Sequence, residues 1–579
     1  MNDAAPDSIE QGRRLIKVTP NAAQSLTHRV AHYFERLTWR TPIHDRRLDG
    51  RHPVRLIATP VDPLPGDPAI GEALLDGRVI VAGAQRGLAE IDWAALDANP
   101  VLAAYLHGFD WLRDLAAVGD RARVAPVAET LATRWLAAHG DRVSEAAWHP
   151  ALAARRLMMW TFHAPLLLSS TDLIFRSRIL NGIGRAARHL DRTADKAPPG
   201  AERIGAWAAV IVAGLLIPQG EIRLELGEEG LQRALAASLS QDGGVVSRSP
   251  TALLEVVATI AMLRAAYDAR RQMLPDTVAA VLTHVTPALL ATVMGDGGLS
   301  SWQGGAPIDG QRVNDVLLAS GAYGRPLRQS RDWGYQRLAA GGTVIVMDAA
   351  PPPMATTAEG GCASTLAFEL SDGTERLIVN SGGARAAAVR LPRATAQALR
   401  STAAHSTLTL ADSNSTALHP DGTLGRGVGE VELSRQESEA GSRIDATHDG
   451  YARRFGLRHR RRLLLTSDGR EVRGEDALLP VARARGGWAR RGGGLAPFAL
   501  RFHLGAGVEA VATADGQAAM LRTPGGAFWQ FRTRGEPLMV EESVWCDPSG
   551  RLLATQQIVV LGTAPAGGAS ISWALRRAR

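Results

Sequence analysis

Between about residues 100 and 290, apolar residues recur every three or four positions in segments of similar length, at 127–138, 151–169, 178–191, 204–216 and 253–271. This spacing predicts helices that each bury one stripe. The segments follow one another without strand-like stretches between them, so they predict helical hairpins packed side by side in a toroid or solenoid. The 204–216 segment is apolar around its whole circumference, which marks a buried helix, and it is shorter than a bilayer requires.

The texture changes after Gly295-Asp296-Gly297-Gly298. Apolar runs shorten to strand length, as in 343–348 and 376–380, and turn signals such as Ser371-Asp372-Gly373-Thr374 and Asp547-Pro548-Ser549-Gly550 recur between them. This predicts an antiparallel sandwich or stacked-sheet domain. Short β-like pieces at Val54–Ile57 and Arg78–Val81 precede the helices and read as an appendage on the helical domain. The expected class is therefore α + β in several domains. The expected division is an extension over 1–100, a helical domain over 101–325 and a β domain over 326–579, with the transition near 305–335.

A chain of 579 residues with 45% hydrophobic residues has ample material for two large cores. The net charge is +7, yet only two lysines are present, Lys17 and Lys196, and the arginines are interspersed with 58 acidic residues. A dedicated nucleic-acid binder concentrates its charge in one patch. The densest run, Arg458-His459-Arg460-Arg461-Arg462, leads straight into three leucines and reads as a strand, so no nucleic-acid partner is expected. The polar, acidic N-terminus lacks a basic stretch followed by an apolar run, which predicts a cytoplasmic protein. Two cysteines, Cys362 and Cys546, allow at most one disulfide, so packing must supply the stability.

Four segments in the C-terminal half carry a family resemblance. They are Cys362-Ala363-Ser364-Thr365-Leu366-Ala367-Phe368-Glu369-Leu370, Ile378-Val379-Asn380-Ser381-Gly382, Ala404-His405-Ser406-Thr407-Leu408 and His448-Asp449-Gly450-Tyr451. In order and spacing they resemble the C-terminal domain of the heparinase II/III polysaccharide lyases, a family often found in the periplasm or cell envelope. The resemblance implies an incomplete toroid of helical hairpins followed by an antiparallel β-sandwich, with an acidic polysaccharide in the cleft between them. It also implies cleavage of uronate-containing chains by β-elimination. That reaction needs a group to neutralise the carboxylate, a base for the α-proton and an acid for the leaving oxygen.

Residue by residue, the resemblance places Cys362, Asn380 and His405 where some members hold a structural zinc. A thiolate and an imidazole suit zinc, whereas the Asn carbonyl is a poor ligand. His405 can instead hold a strand by bonding to nearby backbone. The position of the family's catalytic His carries Gly360, no tyrosine lies between Asn380 and His405, and the helical side lacks the expected Asn-His pair at Arg203-Ile204. The candidates left for catalysis are His405 and Arg248, whose guanidinium suits a uronate carboxylate or, alternatively, a surface salt bridge. Trp302 and Gln303 could stack on and bond a sugar ring, or Trp302 could plug the domain boundary. Tyr335 and Tyr451 read as packed structural residues. Two functions follow from these residues. One is a lyase with a rearranged site. The other is a catalytically degenerate glycan-binding or envelope protein that keeps the fold.

Overall fold

The structure is a computed structural model that describes residues 9–10, 12–17, 41–50, 55–96, 100–144, 147–354, 360–387, 391–420, 422–481 and 494–578. Its first half is helical. Arg121–His139, Pro150–Phe162, Leu173–Thr193, Ala201–Leu216, Glu221–Ser238, Pro250–Ala269, Leu282–Ala291 and Gly310–Ser320 are its main helices. Side-chain caps set several starts: Asp120, Asp172, Ser249 and Asp309 accept from the first free backbone N–H groups. Each such cap is worth about 1 kcal/mol. Proline opens the Pro150 and Pro250 helices, where its missing N–H is not needed. The predicted 151–169 helix divides at His163, beyond which Ala164–Leu167 forms a separate turn.

The Ala201 helix packs against the Pro150 and Pro250 helices, and the Pro250 helix in turn against the Gly310 helix. These four form the inner row. The Leu173, Glu221 and Leu282 helices pack outside them. As its composition predicts, the Ala201 helix is buried almost throughout. Among the described residues no helix is long and apolar enough to cross a membrane.

The second half is an antiparallel β-sandwich. One nine-stranded sheet runs in the order Arg13–Lys17, Glu430–Ser438, Gly441–His448, Leu457–Thr466, Glu471–Pro480, Ala569–Arg577, Phe528–Arg534, Ala518–Arg522, Glu509–Ala512. The facing sheet runs Leu538–Cys546, Leu552–Ala564, Ala496–Leu504, Glu375–Val379, Phe368–Asp372, Thr343–Asp348, Tyr335–Ala340, with Leu408–Leu410 joined to Ala496–Leu504. The two inner faces meet through aromatic rings. Phe368 stacks on Trp573 at 5.8 Å, and Phe502 meets Trp573 edge-on at 4.9 Å.

Two expectations for the N-terminal region change. Arg13–Lys17 pairs with Glu430–Ser438, so this strand belongs to the β-sandwich and not to the helical domain. Of the piece at Val54–Ile57, Val54 lies outside the described residues and the rest is not a strand, whereas Arg78–Val81 does pair with Ala84–Gly87.

The basic run lies in the strand Leu457–Thr466, whose side chains alternate between buried and half-buried. Its charges are met across the sheet: Arg458 by Glu430 and Glu432, Arg460 by Glu475, Arg462 by Asp445 and Glu475, and Arg461 by Asp476.

Candidate functional site at the domain junction

The Pro250 and Gly310 helices turn their N-termini toward the β domain. The loops in front of them, at 239–249 and 293–309, therefore meet the first strands of the sandwich, and this junction holds most of the residues singled out from the sequence. Tyr335, Val346 and Ala367 of the β domain are continuous with the helical core.

Asp348 is the centre of the junction. One of its oxygens, Oδ1, accepts from Arg248 Nη2 at 2.7 Å, and Oδ2 accepts from Ser364 Oγ at 2.7 Å and Gln303 Nε2 at 3.3 Å. The remaining Arg248 donors are also used: Nε reaches the Trp333 carbonyl at 2.9 Å and Nη1 that of Pro351 at 2.9 Å. Below the guanidinium lies the Tyr335 ring at 4.9 Å, and the Tyr335 hydroxyl donates to the Arg248 carbonyl at 2.6 Å. Burial would lower the Arg248 pKa, but the Asp348 charge outweighs it and keeps the guanidinium firmly charged. Burial likewise drives the Tyr335 hydroxyl well above its ordinary range.

Gln303 and Trp302 are equally committed. The Gln303 carbonyl oxygen accepts from the Cys362 backbone N–H at 2.8 Å, and its amide reaches Ser364 Oγ at 3.2 Å. Trp302 is fully buried, donates to Ser300 Oγ at 2.8 Å and lies 5.7 Å from the Tyr335 ring. Across the junction, Trp333 donates to the Val245 carbonyl at 2.9 Å, and Asp242 accepts from the Trp333 backbone.

The three expected zinc ligands do not form a site. Cys362 donates its thiol to the Gly360 carbonyl, and burial pushes that thiol up to about 11, so no thiolate is on offer. Asn380 uses both ends of its amide, donating to Glu369 Oε1 at 3.0 Å and accepting from the Ser406 N–H at 3.0 Å. His405 Nδ1 bonds to the Ser401 carbonyl at 2.7 Å, and burial pulls its imidazole down to about 4. Among the described residues no group of three or more His, Cys, Asp or Glu side chains is placed to hold a metal ion. These residues do not fit zinc. Elemental analysis of the purified protein is expected to find zinc far below stoichiometric, and zinc addition is expected to leave the melting temperature unchanged.

Gly360 is set by close backbone contact. A Cβ there would lie 2.8 Å from the Gln303 carbonyl oxygen, and one on Gly304 would lie 2.6 Å from that of Gly360. A histidine cannot occupy this position without moving the 301–304 loop.

Charged groups stay accessible as well: Arg385 is exposed, with its side chain against Gly360. Arg155, on the Pro150 helix, keeps 47% of its side chain exposed while pairing with Asp110 at 2.7 Å. The Asp110 charge is the main force raising its pKa, with Glu255 and Glu202 adding to it.

Residues 322–574 match the model of the heparinase II/III-like C-terminal domain. Over 572 residues the chain is 30% identical to FtsZ-localized protein C of Caulobacter vibrioides, covering 95% of each chain. This chain belongs to the heparinase II/III-like family. The crystal structure of heparinase III overlays with a TM-score of 0.68 at 14% identity, covering 97% of this chain and 93% of the other. That of the heparan sulfate lyase HepC from Pedobacter heparinus gives 0.55 at 14% identity, covering 97% and 92%.

Arg248, Gln303 and Cys362 are thus brought together around Asp348, each bound to other groups of the same chain. Arg248 forms an ion pair, and that pair is buried, not at the surface, because the 239–249 loop is enclosed by the β domain. The expected open turn at Trp302 and Gln303 is also closed: Trp302 plugs the junction and Gln303 is spent on Asp348, Ser364 and Cys362. His405 is held by the nearby backbone. The organising residue, Asp348, was missed because nothing in its local sequence, the end of a strand before Ala349-Ala350-Pro351, marks it as a partner for a residue one hundred positions earlier.

Proposed function

We propose that this protein keeps the heparinase II/III-like fold without β-elimination chemistry and acts by binding, localising with FtsZ as the name of its Caulobacter relative states of that protein. The observation that carries this reading is the Arg248–Asp348–Gln303 network. The polar side chains around the expected reaction centre spend their hydrogen bonds on joining the two domains, which leaves them unavailable to a uronate or to its α-proton. Arg155, exposed on the Pro150 helix, and Arg385, exposed beside Gly360, offer cations to which an acidic sugar could be held without being cut.

The lyase reading has one observation in its favour. His405 is neutral at ordinary pH and so has the protonation state of a base. Against it, His405 is only 1% exposed, too little for a polysaccharide to reach.

The localisation half of the proposal is tested by a fluorescent fusion at the native locus. It is expected to track FtsZ and to disperse when FtsZ is depleted. A fusion that keeps its position after depletion contradicts it.

A further inference from the structure

The other end of the helical domain holds a second site, away from the junction. The inner helices finish at Phe162, Leu216, Ala269 and Ser320, and the chain at 55–68 crosses this end, tied down where the Ile57 N–H bonds to the Leu216 carbonyl. The Arg113 guanidinium of this site lies 3.6 Å from Met262 Sδ, twelve residues into the Pro250 helix, which at about 1.5 Å per residue sets it roughly 18 Å along that helix from the junction. It contains an open pocket of about 640 Å³ between the 59–68 loop, Arg113, Ala116 and Ala117 of the helix Trp111–Ala117, and Phe162, His163 and Pro165.

Its polar lining is a ladder of three side chains. Asp62 accepts from Arg113 through Nε at 2.8 Å and Nη2 at 3.2 Å, from the Leu64 N–H at 3.0 Å, and from His163 Nε2 at 3.1 Å. The Asp62 and His163 side chains are each only 8% exposed. Burial alone would raise the Asp62 carboxyl, but the His163 hydrogen bond and the Arg113 charge outweigh it and hold it at about 2, so it stays ionised. With its proton kept on Nε2 by Asp62, His163 has Nδ1 left over, and that atom makes no hydrogen bond among the described residues. Apart from Thr59, the rest of the lining is apolar, including Pro60, Val61, Pro65, Ala116, Ala117 and Pro165. Val61 is 82% exposed at the mouth. Prolines at 60, 63, 65 and 68 fix the loop in advance, which lowers the entropy a ligand must overcome.

We propose that this pocket binds an apolar carboxylate, either a free acid or the C-terminal residue of a peptide. The charge pattern selects it. Arg113 pairs with Asp62, His163 bonds to the same carboxylate through Nε2, and His163 Nδ1 is the polar atom left for a ligand. A ligand carboxyl group bonds to Nδ1 through the proton that the acid itself brings, extending the row of guanidinium, carboxylate and imidazole by one more carboxyl, and its apolar tail lies against the proline and alanine wall.

The test is calorimetric titration of the full-length protein with octanoate, with octanol, and with a tetrapeptide ending in leucine as free acid and as amide. Octanoate is expected to bind at least about tenfold more tightly than octanol, since the charge-assisted bond adds roughly 1.5 kcal/mol or more. His163→Leu is expected to abolish that preference. Val61→Glu, at the exposed mouth, is expected to weaken octanoate binding without changing the circular dichroism spectrum, which keeps the test decisive should His163→Leu fail to fold. A free-acid peptide that binds more tightly than octanoate, with its amide inert, assigns the ligand to a C-terminus; octanoate alone assigns it to a free acid. Equal binding of octanoate and octanol, or no binding of any probe to the unaltered protein, overturns the proposal.

Discussion

Asp476→Ala is expected to destabilise the β domain by about 3–5 kcal/mol, the range for removing one partner from a buried ion pair. Asp476 accepts from Arg461 Nε and His459 Nε2, each at 2.8 Å, and from Trp573 Nε1 at 2.9 Å, all between the sheets. The Arg461 and Asp476 side chains have no exposure. Without the carboxylate, Arg461 keeps its bonds to the Leu366 and Ser406 carbonyls but becomes a buried charge without a counter-ion. Urea unfolding followed by circular dichroism measures the loss, and Asp476→Asn, which keeps the shape and one acceptor, is expected to lose less.

The same residue sets an acid limit. Burial would raise the Asp476 carboxyl, but the Arg461 charge and the His459 hydrogen bond hold it at about 2. An unfolded aspartate titrates near 3.9, so the folded state binds its proton less readily. The stability it contributes, about 2 kcal/mol, is present above roughly pH 4 and is lost as the pH falls toward 2. The difference in stability between the native protein and Asp476→Asn should therefore shrink over that window.

Arg248→Ala is expected to loosen the two domains, again at a cost of about 3–5 kcal/mol. It leaves Asp348 buried with one oxygen unpaired and removes the donors to the Trp333 and Pro351 carbonyls. Arg248 also sits at φ +56°, in the left-handed region, where alanine gains nothing and glycine relieves roughly 1 kcal/mol of strain. Arg248→Gly should thus be the milder variant, although it loses the same side chain. The buried Trp302 and Trp333 at this interface report the change, their fluorescence shifting to the red before global unfolding. In a double variant, Arg248→Met with Asp348→Leu, much of the loss should return, because no charge is then left unpaired.

The helical half was legible because each helix buries a stripe whose spacing is local, and the Ala201 helix announced itself by burying nearly every face. Strand positions such as Thr343–Asp348 were legible for the same reason. Pairing over long separations was not. The strand Arg13–Lys17 joins one more than four hundred residues later, and no five-residue pattern specifies that partner. Arg248 could be read as a group suited to a carboxylate, which it is; that the carboxylate is Asp348 of the same chain depends on how two domains dock. Asp62, Arg113 and His163 are likewise unremarkable until the fold brings them within 3.2 Å.

The central claim is that this heparinase II/III-like fold binds without eliminating. The most direct measurement is ultraviolet absorbance of the unsaturated uronate that β-elimination creates, recorded over heparan sulfate, hyaluronate, alginate, ulvan and bacterial capsular glycans, alongside binding to the same panel. Flat traces on every glycan, with binding to at least one that is weakened by Arg155→Ala, are the predicted result. A rising trace that His405→Ala abolishes would contradict the account and make the protein a lyase.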